Sequence, residues 1–159
     1  MLPEKQEESS FEKQTGGTFL TKDIKVSVAG TQFEVEPNEP VELITFGNYY
    51  NKNGKHYILY DEIDLEEGEN IKNRIKIGNG KIEVVKSGTL NGQLIFEQGK
   101  QHLTYYDTGM GSLLMGVNTD SIRMIEEENH IRATVRYSLE MNYTHVSDCE
   151  ITIDVQSVR

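Results

Sequence analysis

The chain has 159 residues, enough for one domain built around a single core. Its 26 acidic and 16 basic side chains give a formal charge of −10, which argues against nucleic acid and against anionic membranes as partners, because both are bound through clustered Lys and Arg. A single cysteine, Cys149, rules out an intrachain disulfide, and no stretch approaches the roughly 20 apolar residues of a membrane-spanning helix.

Residues 1–18 read as a polar extension rich in Glu, Gln and Ser that closes on Gly16-Gly17. It is either disordered or carries a short helix from Pro3 to Lys13, with Phe11 as its docking residue. It has no apolar run and no cleavage-type site, so a cytoplasmic location is the expectation. The acidic excess is concentrated early. Residues 1–70 hold 15 acidic and 6 basic side chains, which reads as a solvated end that aids solubility.

From residue 19 onward the pattern is strand after strand. "IKVSV" alternates Ile24, Val26 and Val28 against Lys25 and Ser27. "IRATVRYSLEM" sets Ile131, Ala133, Val135, Tyr137, Leu139 and Met141 against a polar row, and "EITIDV" repeats the alternation with Ile151, Ile153 and Val155. Period two means a sheet with one buried and one wet face. The predicted strands are 19–29, 41–51, 55–63, 70–78, 81–87, 93–98, 101–107, 112–123, 130–141 and 147–157.

Asn53-Gly54, Asn79-Gly80 and Asn91-Gly92 mark hairpins, because a type I′ turn needs positive φ at both central positions. A two-residue turn at Asn79-Gly80 pairs Ile77 with Ile82, Ile75 with Val84 and Lys76 with Glu83, which puts the apolar pairs on one face and the ion pair on the other. A turn at Asn53-Gly54 pairs Tyr50 with Tyr57, Tyr49 with Ile58 and Gly47 with Tyr60. Both faces of that hairpin are apolar. One meets the interior, and the other needs a cover, from the N-terminal segment or from a second copy of the chain. Antiparallel strands in this number hide their edges by closing, so the expected fold is an all-β antiparallel barrel of about 8–10 strands over residues 19–159, with a sandwich as competitor.

Two motifs carry a family resemblance. "GNYYNKNGKHYILYDE" contains Gly47, Tyr49, Tyr50, Lys52, Tyr57, Ile58, Tyr60 and Glu62 in a Gly-x-Tyr-Tyr, Lys, Tyr-Ile-x-Tyr-x-Glu pattern, and "YDTGMG" supplies Tyr106, Thr108 and Gly111. Together they resemble the YwiB-like family of uncharacterised bacterial proteins over roughly residues 19–157. The resemblance implies a calycin-like, or lipocalin-like, β-barrel and brings no catalytic or ligand residues with it. The chain departs from the family at the N-terminal extension and at Lys86, where Arg is as common. Without a Trp it lacks the Gly-x-Trp signature of true lipocalins.

The stretch "YYDTGMGSLLMGVNT" is glycine-rich, but it is no dinucleotide loop. Leu114 stands where the third glycine belongs, no helix start follows, and no Gly-Lys-Ser/Thr is present. Its glycines predict a turn or bulge between strands, with Gly116 relieving crowding inside the barrel. "DEIDLEEGE", Asp61 to Glu69, lacks the ligand spacing of a calcium loop and reads as a solvated hairpin end. His56, His102, His130 and His145 share no zinc spacing, and no nucleophile elbow is present, so no cofactor, no metal and no enzymatic activity are expected.

The expected function is a binding module for a small apolar or amphipathic ligand. Its modest cavity is expected to open at one barrel end, lined by Ile75, Ile77, Ile82, Val84, Tyr137 and Leu139. Lys86, paired across a strict Asn91-Gly92 turn with Glu97, would be the polar group, unless a bulge near Gly88 shifts the register. The alternative is a protein-interaction module or homodimer using the aromatic hairpin 43–60, with Tyr49, Tyr50, Tyr57 and Tyr60 at the contact.

Overall fold

The computed structural model describes residues 23–32, 41–63 and 68–158, so the polar extension and four residues of the acidic segment lie outside the described residues. Ten strands follow in order: β1 (Asp23–Gln32), β2 (Val41–Lys52), β3 (Lys55–Ile63), β4 (Asn70–Gly78), β5 (Lys81–Ser87), β6 (Asn91–Glu97), β7 (Gln101–Thr108), β8 (Gly111–Glu127), β9 (His130–Met141) and β10 (Thr144–Ser157). Each pairs antiparallel with its neighbours in sequence, and β1 also pairs with β10, which closes the barrel. No helix among the described residues is long and apolar enough to cross a membrane.

The turns explain the register. Asn53 and Gly54 have φ of 55° and 77°, and Asn79 and Gly80 have 54° and 73°, the positive values a type I′ turn requires. Ile77–Ile82, Ile75–Val84 and Lys76–Glu83 pair across the second turn, and Tyr50–Tyr57 and Tyr49–Ile58 across the first. Gly47 packs so closely over Leu59 and Tyr60 that a Cβ would collide with the Leu59 carbonyl, which is the physical reason for glycine there. The stretch from Tyr105 to Thr119 is the β7–β8 hairpin. Gly109 and Met110 form its turn between the paired Thr108 and Gly111.

Two expectations need correction. Asn91-Gly92 is not a turn. Asn91 begins β6, its side chain bonds both the N–H and the carbonyl of Gly88, and the chain reverses around Gly88, whose φ is 139°. Lys86 therefore faces Gly92, and Glu97 faces Lys81. Gly116 does not relieve crowding inside the barrel. The neighbouring Met115 and Val117 point inward, and Gly116 lies under Leu103 and Glu140 on the outside.

The interior is filled by Ile24, Val26, Ile58, Ile75, Ile82, Phe96, Ile131, Val135, Ile153 and Val155, all buried. Phe96 on β6 and Tyr137 on β9 meet edge to face across the lumen, centroids 4.9 Å apart, and plug its middle. Within the barrel, the remaining space is thus at the ends. The one containing the turns at 53–54, 79–80 and 128–129 is called here the cleft end, and the one containing the turns at 109–110 and 142–143 the far end.

Candidate functional site

A cleft of about 400 Å³ opens at the cleft end, lined by Ile77, Ile82, Ile122, Met124, Gln98 and Glu126 together with the backbone of the Asn79-Gly80 turn and Lys81. Two features of β8 create it. The pairing of β7 with β8 stops at Gln101–Asn118, while β8 continues to Glu127 along β9, so among the described residues no strand pairs with the other side of its last stretch. A bulge between Thr119 and Ser121 then changes which residues face inward. Before it, Met115, Val117 and Thr119 point into the barrel. After it, Ile122, Met124 and Glu126 do, opposite Val135, Ala133 and Ile131.

Glu126 is held from within. His56, 0% exposed, lies with its Nε2 3.2 Å from Glu126 Oε1 and its Nδ1 2.7 Å from the Tyr49 hydroxyl. Asn51 Nδ2 donates to that hydroxyl at 3.4 Å. Burial pushes the His56 imidazole below its ordinary value, against an opposing hydrogen bond and charge from Glu126. Burial pushes the Tyr49 phenol up to about 12. A neutral imidazole has one N–H, and a protonated phenol donates, so one arrangement satisfies the chain: Tyr49 O–H to Nδ1, and Nε2–H to Glu126. Every donor points toward the carboxylate, whose side chain is 30% exposed at the mouth. Such a relay holds an anion in place.

The far end carries a second polar cluster. Lys86 Nζ lies 2.6 Å from Glu62 Oε1 and 2.7 Å from Asn73 Oδ1, and Asn73 Nδ2 donates to Glu62 at 2.9 Å. Tyr60 and Tyr106 stand nearby, their phenols pushed up by burial first and by the Glu62 charge second, Tyr106 to about 12. The register shifts around Gly88, the alternative to a Lys86–Glu97 pair, and Lys86 meets Glu62 on β3. Glu97 sits on the far side of the shifted register and binds His102 at 2.9 Å.

Of the residues expected to bind ligand, Ile77 and Ile82 line the cleft, and Ile75, Val84, Tyr137 and Leu139 are packed into the core instead. Of the four interface tyrosines, Tyr49 and Tyr60 are buried in the barrel, because strand alternation assigns that hairpin face to the interior. Tyr50 and Tyr57 face outward and stack at 4.6 Å, in line with exposed Ile44 and Phe46. Sequence reasoning missed His56, Glu126 and Ile122 as site residues, while Met124, expected as an adaptable side chain of the cavity, lines the cleft. One signal was available: the apolar parity of β8 switches from Met115 and Val117 to Ile122 and Met124, which requires an inserted residue.

A solved structure, the ywiB protein from Bacillus subtilis, is similar with a TM-score of 0.75 and 25% identity, over 87% of this chain and 93% of that one. The curated sequence of the same organism described as an uncharacterized beta-barrel protein, YwiB, is 28% identical over 119 residues, 73% of this chain and 82% of its own length. Residues 24–153 match the family described as a domain of unknown function, DUF1934, and the chain belongs to that family.

Proposed function

We propose that the protein is a binding module for a small, partly apolar molecule, seated in the cleft between the β4–β5 turn and the end of β8. The observation that carries this reading is the combination of an apolar lining, Ile77, Ile82, Ile122 and Met124, with one anchored polar group, Glu126. That is the usual composition of a small-molecule site, and the volume falls within the roughly 300–1,000 Å³ of such sites. Met124 adds an adaptable wall. The arrangement favours binding over catalysis, because its polar groups form a closed relay rather than an acid, a base and a nucleophile facing one point.

Thermal denaturation against a small panel of aliphatic and aromatic amines, alcohols and acids tests it. A binder raises the midpoint with concentration, because it stabilises only the native state. Ile122→Trp fills the cleft and is expected to abolish the shift while preserving the fold. A panel without any shift, at millimolar concentration, ends the reading.

A second reading, self-association, is supported by the outer face of β2, where Phe46 is 70% exposed beside Ile44 and Tyr50. On this reading Phe46→Lys yields a folded monomer from a dimer. Sedimentation of the unaltered chain as a monomer at high concentration removes it.

A further inference from the structure

We propose that the cleft selects an organic cation, an ammonium group on an aliphatic or aromatic body, with the charge on the Glu126 carboxylate and the body along Ile77, Ile82, Ile122 and Met124. This rests on the ligand-binding reading above and names the class of ligand.

Three observations carry it. First, among the described residues the hydrogen-bond partner of Glu126 is a buried imidazole rather than a lysine or arginine. The relay from Asn51 through Tyr49 and His56 fixes the carboxylate's position without cancelling its charge. A carboxylate at the mouth of an apolar cleft keeps one oxygen for a second partner, since each has more than one acceptor site. Second, two other polar groups of the lining have partners or charges of their own nearby. Gln98 Oε1 accepts the Ile122 N–H at 3.0 Å. Lys81 stands opposite Glu97, whose carboxyl is held below the usual range chiefly by His102, with Lys100 and Lys81 adding to the effect. Third, the chain as a whole carries a formal charge of −10, which favours encounter with cations over anions.

The shape of the ligand follows from the same geometry. The charged group sits at the rim, where the Glu126 side chain is partly in water, so its desolvation is incomplete. The apolar part lies deeper, against Ile77 and Ile82, which are almost fully buried. A single positive charge at one end of a short apolar body matches this. A carboxylate at the same end meets Glu126 as a like charge.

Matched probes decide the matter: hexylamine, hexanol and hexanoate, titrated by calorimetry at pH 7.5, where the amine is charged because ammonium groups lose their proton only near pH 10. The expected order is hexylamine at least tenfold tighter than hexanol, with hexanoate weaker than both. Glu126→Gln is expected to lower the amine's affinity to about that of the alcohol. The same variant's midpoint without ligand checks that it folds, and the comparison of the three probes on the unaltered chain needs no variant at all. If hexanol or hexanoate binds as tightly as hexylamine, or if Glu126→Gln leaves the amine's affinity intact, cation selection is overturned and the binding module stands. If none of the three binds, both readings fall.

Discussion

The two ends of the barrel are built from similar materials and finish differently. Each places a glutamate at an inward-facing position near the rim, with a tyrosine and a buried polar side chain beside it. At the far end Glu62 is met by Lys86, and Asn73 bridges the two, so charge and hydrogen bonds close within the protein. At the cleft end Glu126 is met by neutral His56, so the hydrogen bond is made and the charge remains. The far end therefore reads as structure, and the cleft end as a site. A carboxylate's partner, more than its burial, separates the two roles.

The largest expected effect breaks the far end. Lys86→Met removes the cation that lies 2.6 Å from Glu62 Oε1, in a pair whose side chains are 28% (Glu62) and 21% (Lys86) exposed. A loss of about 2–3 kcal/mol in urea unfolding is expected, at the low end for a broken buried pair because both groups keep some water. Adding Glu62→Gln restores most of it. If the single variant is as stable as the parent, the far end is no more structural than the cleft end.

The same operation at the cleft end, His56→Gln, is expected to cost about 1–2 kcal/mol, since Tyr49 or Glu126 loses a buried hydrogen bond. It also changes the pH dependence. The native value of His56 lies below its unfolded value of 6.5, so the native state binds fewer protons and stability rises with pH between the two. The contribution is complete above about pH 6.5 and is lost as the pH falls toward the lowered native value. Urea unfolding at several pH values should show the gap between parent and variant narrowing from pH 7.5 to 5.5. A constant gap means that His56 is not held neutral.

Smaller effects sharpen the boundary between the ends. Thr119 sits at the bulge that turns β8 from one end to the other, and its hydroxyl is the one buried side-chain polar atom without a partner among the described residues. Thr119→Val is expected to stabilise the protein by about 1 kcal/mol, because it removes an unsatisfied hydroxyl at constant shape. Last, Tyr143 in the far-end turn has φ of 69°, where the turns at 53–54 and 79–80 carry Gly and the turn at 128–129 carries Asn. Tyr143→Asn should add about 0.5 kcal/mol, readable as a small rise in thermal midpoint, since Asn tolerates that conformation better.

Strand alternation and turn chemistry were enough to determine, from the sequence by itself, an all-β chain of ten antiparallel strands and the registers about Asn53-Gly54 and Asn79-Gly80, since both signals are local. Tertiary structure alone decided which face of the β2–β3 hairpin turned inward, because Tyr49 and Tyr50 are equally apolar and only closure of the barrel ranks them. It also decided the partner of Lys86. The sequence offers Glu62 and Glu97 alike, and a reversal at Gly88, where the Asn91 side chain substitutes for a turn partner, selects Glu62. His56 and Glu126 are 70 residues apart, and a single extra residue in β8 brings them together. A bulge shifts every later side chain by one face, so its effect is global while its trace in the sequence is one residue long.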